Sequence, residues 1–208
     1  MNPFVEAVGM LGGGLGFLIS IPQLVRVIKH KSQVGVSLGT WLFIMMSTIG
    51  WTAYGWRFFS WSQIITNTVA MALAITLSYV LMRERYRFVN RVLIILAIGV
   101  PTALIVTFAP VWLMDAWLYI ALWSRVPQTL ESFRSWRLGR TTMVSLSTYW
   151  LSIFSSLAWV IYGLLTDRAV VVWFSVVVVV LSVLVVVFEL MAARAVKRAD
   201  LAGELAHH

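Results

Sequence analysis

The sequence predicts an all-α membrane protein with seven transmembrane helices, and three observations carry that prediction. First, 61% of the 208 residues are hydrophobic and only 12% are charged, about half the charged share of a soluble domain. Second, seven apolar stretches are each about as long as the roughly 20 residues that a membrane-spanning helix needs. Third, the basic residues cluster after alternate stretches. Such a chain must be solvated by the lipid bilayer.

The seven apolar stretches are separated by short polar loops. They run through residues 4–28, 38–56, 62–82, 92–109, 111–130, 143–163 and 169–191. The first stretch lacks a basic leading region and a small-residue cleavage site, so we interpret it as a helix and not as a signal peptide. No loop is long enough for a soluble domain, and residues 194–208 are expected to form a polar, basic cytoplasmic tail.

The basic residues predict the orientation of the chain. Thirteen of the sixteen Lys and Arg residues follow the first, third, fifth or seventh stretch. Because basic loops stay in the cytoplasm, the N-terminus should lie outside and the C-terminus inside, as expected for a bacterial plasma (inner) membrane protein. The net charge of +8 is thereby explained by topology, and no nucleic-acid partner is expected.

Two segments of the chain repeat each other. Each copy spans three stretches, and the fourth stretch returns the chain, so both copies run in the same direction through the membrane. This predicts a 3+1+3 arrangement of two parallel triple-helix-bundle repeats, residues 1–84 and 111–193, with a linker helix at 85–110. A receptor-like seven-helix protein without internal symmetry is the alternative, and the repeat argues against it. The matching pairs are Pro22-Gln23 with Pro127-Gln128 and, at an offset of 108, Ser37-Leu38 with Ser145-Leu146, Trp51 with Trp159, and Tyr54-Gly55 with Tyr162-Gly163.

This pattern resembles the PQ-loop superfamily and, within it, the SWEET sugar transporters and their half-size SemiSWEET relatives. The resemblance covers the whole chain and rests on the two Pro-Gln pairs, each followed by a basic loop, a Ser-Leu helix start and a Trp-x-x-Tyr-Gly helix end. It implies movement of sugar down its gradient by rocking of two bundles around a central pocket. The Pro-Gln bends would act as hinges.

Four residues are candidates for substrate binding. Trp51 is predicted about 20 Å above the cytoplasmic edge and Asn67 about 7 Å below the outer edge, so the two side chains share a depth. In the resembling family, a Trp and an Asn sixteen residues apart form the sugar pocket. The second copy has Trp159 but Ser175 in place of Asn, which predicts an asymmetric pocket. Taken singly, a Trp can belong to an interfacial belt and an Asn can bond a neighbouring helix.

Six further residues are candidates for hinges or gates. Proline removes a helical hydrogen bond, so both Pro-Gln prolines should bend their helices. The glutamines either satisfy the carbonyls freed by proline or line an inner gate. The two tyrosines, one turn outward of the tryptophans, either close the pocket or anchor the membrane interface. These candidates are Pro22, Gln23, Pro127, Gln128, Tyr54 and Tyr162.

Residue types that are missing limit the function. The chain has no cysteine, and its only histidine before the C-terminal pair, His30, lies in a loop, so we expect no enzyme, no metal site and no cofactor. The acids within apolar stretches lie near predicted membrane edges, which favours an uncoupled uniporter. The Trp51–Asn67 pair and the resemblance imply that its solute is small and neutral, a mono- or disaccharide.

Two rival functions stay open. The first is a proton-coupled amino-acid or vitamin carrier that uses Asp115, and the second is a cargo receptor that does not transport. The sequence also leaves open whether the protein forms a homo-oligomer, although a two-repeat chain already contains both halves of a pore.

Overall fold

The computed structural model describes residues 2–30, 37–142 and 145–206, and within these ranges the chain forms helices joined by short turns. The first repeat contains α1 (Pro3–His30), α2 (Leu38–Arg57) and α3 (Trp61–Leu81), and the linker is α4 (Phe88–Phe108). The second repeat contains α5 (Val111–Ile120), a 3₁₀ segment (Ala121–Ser124), α6 (Val126–Arg137), α7 (Leu146–Leu165) and α8 (Ala169–Ala206).

The predicted fold class is confirmed. Four helices of the described chain are long and apolar enough to cross a membrane, and they cover Trp61–Leu81, Phe88–Phe108, Leu146–Leu165 and Ala169–Lys197. The described apolar part of α1, Pro3–Ile19, is shorter. The predicted tail at 194–208 begins as a continuation of α8, which ends only at Ala206.

The fifth predicted stretch does not form one continuous helix. It is divided into α5, the 3₁₀ segment and α6, and it extends to Arg137 instead of ending near residue 130. Pro127 stands in the first turn of α6, where a missing backbone N–H costs little. By contrast, α1 runs without interruption through the position of Pro22, so the two prolines sit in different local structures.

The two repeats turn identically after their second helices. Phe59 and Asp167, which are 108 residues apart, both have a φ of 53°. The backbone N–H of the next residue donates to the carbonyl of Gly55 in one repeat and of Gly163 in the other, at 2.9 Å in each case. A Cβ on either glycine would meet a backbone nitrogen of the following helix at 2.9 Å. The presence of a Tyr-Gly pair in both repeats therefore has a structural reason, since only glycine lets the next helix approach so closely.

Packing joins the repeats through α1. This helix lies against α3 of its own repeat and α7 of the other, whereas α7 packs on α8 and α2 packs on α3 and α4. Glycines make this possible: a Cβ on Gly13 would overlap Thr66 of α3, and a Cβ on Gly12 would meet the Trp159 ring at 2.9 Å. The glycine face of α1 therefore serves contacts both within one bundle and between the two.

Candidate functional site

A cavity of about 220 Å³ lies between the two repeats. That volume is below the roughly 300–1,000 Å³ of typical small-molecule sites, so it suits a solute no larger than about a monosaccharide. Five helices (α1, α2, α3, α7 and α8) and the break in the fifth span supply its wall. The lining residues are Gly12, Gly13, Gly16, Phe17, Trp51, Gln63, Thr66, Asn67, Ala70, Arg125, Ser155, Ser156, Trp159, Val171, Phe174, Ser175 and Val178.

All four residues predicted to bind substrate line this one cavity. Trp51 and Asn67 come from the first repeat, and Trp159 and Ser175 come from the second. Helix phase and the repeat thus bring together residues as far as 124 positions apart in the sequence. Their role in binding a solute stays a prediction, but their common location is a property of the structure.

The α3 wall of the cavity is polar. Asn67 donates from Nδ2 to the carbonyl of Gln63 at 3.0 Å, so part of its amide is held by its own helix. Thr66 likewise donates to the carbonyl of Ser62 at 2.7 Å. Gln63 is only 1% exposed, and its Oε1 has no hydrogen-bond partner among the described atoms. A buried acceptor without a partner costs stability, and this oxygen is too enclosed for a solute in the cavity to contact it.

The α8 wall is mostly apolar. At the repeat offset of 108, the residues that match Gln63, Thr66 and Asn67 are Val171, Phe174 and Ser175. The Phe174 ring meets Trp51 edge to face with centroids 5.0 Å apart. The cavity is therefore asymmetric, with hydrogen-bonding groups on one side and aromatic and aliphatic surface on the other. Such a wall can pack the C–H face of a polyhydroxylated solute while the opposite wall bonds its hydroxyls.

The end of the bundle that carries the N-terminus is closed. Tyr54 and Tyr162 are 3% and 1% exposed and belong to a compact apolar cluster together with Trp51. The Tyr162 hydroxyl forms a 2.5 Å hydrogen bond with Ser60 of the other repeat. The two tyrosines thus pack inside the protein between the repeats and not at an exposed membrane interface.

Polar contacts reinforce this closed end. Glu6 accepts the backbone N–H groups of Trp61 and Ser62, at 3.3 and 2.6 Å, where α3 begins. A carboxylate there neutralises the positive end of the helix dipole. Arg57 donates to the carbonyl of Ala109 at 2.6 Å, and the Arg168 guanidinium lies 3.9 Å from the Phe58 ring centroid.

The residues predicted to form hinges or an inner gate are described only in part. The side chains of Pro22 and Gln23 lie outside the described side chains, so their predicted roles are not tested. Gln128 is half-buried and lies 3.5 Å from Ser132, one turn further along α6. Pro127 is exposed at the start of α6.

Of the 17 described residues that line the cavity, 13 were not predicted from the sequence as site residues, and Gln63 and Arg125 are among them. Gln63 stands one helical turn before Asn67, and that spacing on an apolar helix is a usable signal. Arg125 stands out only as a basic residue within an apolar stretch. Among the further polar side chains on the cavity wall, Ser155 donates to the carbonyl of Gly12 at 2.7 Å and so ties α7 to α1.

Asp115 does not line the cavity. It lies on α5, and its Oδ1 is buried without a hydrogen-bond partner among the described atoms. Tyr54 and Tyr119 are within electrostatic reach of this carboxyl group. Within the described part of the chain, no group of three or more His, Cys, Asp or Glu residues is placed to hold a metal ion.

Comparison with known proteins bears on the fold. No protein-family model matches the sequence, and no curated protein matches it. Among solved structures, a eukaryotic SWEET transporter determined at 3.7 Å resolution superposes with a TM-score of 0.71. The match covers 92% of this chain and 99% of that chain at 13% sequence identity. The chain therefore has the SWEET-type fold, with two three-helix bundles and a linker helix.

Proposed function

We propose that the protein is a facilitative transporter that moves a small hydrophilic solute of the sugar class by alternating access. The observation that carries the proposal is the cavity itself, which lies between two repeats and presents one polar and one aromatic wall. Transporters built from parallel repeats bind substrate at the interface between their halves. The SWEET-type fold is consistent with transport by alternating access and with a function other than catalysis.

The closed end supports one state of an alternating-access cycle. With the orientation that the basic residues predict, the cluster around Tyr54 and Tyr162 faces the outside and shuts the cavity from it. The Ser60–Tyr162 hydrogen bond crosses between repeats, so opening this end requires it to break. A pair of groups that bond in one state and separate in the other is the expected form of a gate.

Asn67→Leu is the variant that tests the binding site with least effect on folding. Leucine has nearly the shape of asparagine, and the only described bond of the Asn67 side chain is to its own helix. We expect equilibrium exchange of labelled glucose and glucuronate across proteoliposomes to fall at least about tenfold, as for the loss of a hydrogen bond of about 1.5 kcal/mol. The melting temperature should change by no more than a few degrees. Unchanged exchange of both solutes would remove Asn67 from the site. The matched control is Thr68→Val, on the exposed side of α3.

Pro127→Ala tests whether the break in the fifth span is a hinge. Alanine supplies the N–H that proline lacks, so residue 127 can bond the carbonyl of Trp123 and extend α6 backwards. We expect exchange to slow about threefold or more while solute binding to the detergent-solubilised protein changes less than twofold. An equal loss of binding and exchange would show that Pro127 shapes the site instead of the motion.

A proton-coupled carrier is the second candidate function, and one observation favours it. The buried Oδ1 of Asp115 has no described partner, and intramembrane carboxyl groups often relay protons. Against it stands the location of Asp115, which is outside the cavity lining. Uptake that requires an inward proton gradient, and that Asp115→Asn abolishes, would favour this candidate.

A further inference from the structure

The cavity contains a single charged residue. Arg125 lies at the junction of the 3₁₀ segment and α6, and among the lining residues that the structure describes it is accompanied by no Asp, Glu or Lys. Its side chain is exposed and lines the cavity. The site therefore carries a net positive charge.

No carboxylate of the described residues is placed to neutralise Arg125. Three of these carboxylates are exposed and lie outside the cavity lining, namely Glu84, Glu131 and Asp167. Glu6 binds the start of α3, and Glu189 binds the hydroxyl and the N–H of Thr142 at 2.6 and 3.2 Å. Asp115 stands ten residues before Arg125 in the same span, about 15 Å away along a helix. The titratable side chain within electrostatic reach of the guanidinium is the neutral phenol of Tyr149.

A guanidinium at the depth of Arg125 in the membrane is stabilised by an anion. Arg125 is fourteen residues into a span that begins at Val111, about 20 Å from that end, and so lies within the hydrocarbon thickness. Charged side chains there pair with opposite charge or line an aqueous path, and they mark sites of function. Guanidinium binds carboxylate through two parallel hydrogen bonds, which gives both affinity and orientation.

A second group in the cavity can accept a hydrogen bond from a hydroxyl of the solute. Asn67 lines the cavity and is partly exposed. Its Nδ2 is bonded to the Gln63 carbonyl, so its Oδ1 is the acceptor offered to a solute, and a carboxylate cannot bond to it because ionised carboxylates only accept. A ligand that binds both Arg125 and Asn67 must carry an anionic group and a hydrogen-bond donor. The aromatic wall of Trp51 and Phe174 favours a compact ring beside them.

From this arrangement we propose that the transported solute is a small hydroxylated carboxylic acid, such as a sugar acid, whose carboxylate binds Arg125. The proposal rests on the function proposed above, and it replaces the neutral solute that the sequence favours with an anionic one. None of the described lining residues is a carboxylate, and this suits an anion because no like charge repels it.

Paired solutes test this proposal. Glucuronate and glucose, and galacturonate and galactose, differ only in a carboxylate in place of a hydroxymethyl group, and uptake of each into proteoliposomes gives an acid-to-neutral ratio. We expect the acids to enter at least about tenfold faster, the gain of a charge-assisted hydrogen-bonded pair. Arg125→Gln should lower the ratio at least about tenfold, and Arg125→Lys should retain part of it. The ratio is measured within one preparation, so the amount of folded protein cancels.

The outcomes separate the two proposals. The control is Arg134→Gln, which removes one positive charge from the exposed face of α6 and should leave the ratio unchanged. If the neutral sugars enter as fast as the acids, or if Arg125→Gln leaves the ratio as it was, the anionic solute is disproved and sugar transport stands. If none of the four solutes enters, both proposals fail. Asn67→Leu should slow acid and neutral solutes alike, because it removes the hydroxyl acceptor and leaves the charge.

Discussion

Trp51→Ala is expected to abolish exchange, lowering it at least about thirtyfold. The indole forms part of the cavity wall and contacts both Tyr54 and Phe174 edge to face, and a central aromatic anchor of this kind contributes about 2 kcal/mol or more to binding. The substitution also removes a buried side chain from the apolar cluster that closes the N-terminal end. That loss should cost about 3 kcal/mol or more of stability.

The two effects of Trp51→Ala are separable by further variants. Trp51→Phe keeps an aromatic ring in the cluster, so its melting temperature should stay near that of the original protein while exchange still falls. Trp173→Ala is the matched control, since Trp173 is 61% exposed on α8 and lies outside the cavity lining. Exchange is measured per folded protein, quantified by its monodisperse fraction. A well-folded Trp51→Phe protein with unchanged exchange of every solute would contradict a substrate-binding role.

Gly13→Ala is expected to destabilise the protein and to stop transport. The added methyl group would overlap the side chain of Thr66, and this β-branched residue has no flexible end that can move away. Either α1 or α3 must shift, and overpacking of this kind costs about 1–3 kcal/mol. Because both residues line the cavity, the shift also changes the shape of the site.

Gly14→Ala is the matched control for this effect. A Cβ at Gly14 meets nothing within 4 Å, and alanine favours a helix over glycine by about 1 kcal/mol. Its melting temperature should therefore be equal or higher and its exchange normal. Thermal unfolding in detergent, followed by intrinsic tryptophan fluorescence, compares the two neighbours directly. Equal stability of the two variants would show that α1 and α3 do not pack as described.

Much of the fold could be predicted because matching residues in the sequence reveal the two repeats. Identical residues at an offset of 108 predict identical local structure, and the turns at Phe59 and Asp167 have the same φ. The positions of Trp51 and Asn67 could also be predicted, since helix rise and the direction of each span fix their depths. Their convergence with Trp159 and Ser175 on one cavity follows from the same geometry.

The place of Arg125 could not be predicted from helix geometry alone. A single continuous fifth helix was expected, but four residues adopt a 3₁₀ conformation before Pro127. A 3₁₀ turn has 3.0 residues instead of 3.6, so four such residues rotate the following side chains by about 80° relative to an α-helix. The direction of Arg125 therefore depends on where the helix changes type. Tertiary packing decides that point, as it also decides that the glycines of α1 face the second repeat.

The most direct test of the central claim is uptake of labelled glucose and glucuronate into proteoliposomes, with and without an imposed proton gradient. The protein is predicted to equilibrate at least one of the two without the gradient, and Asn67→Leu is predicted to suppress that flux. Uptake that occurs only with the gradient, or no uptake of either solute by folded protein, would contradict a facilitative transporter of the sugar class.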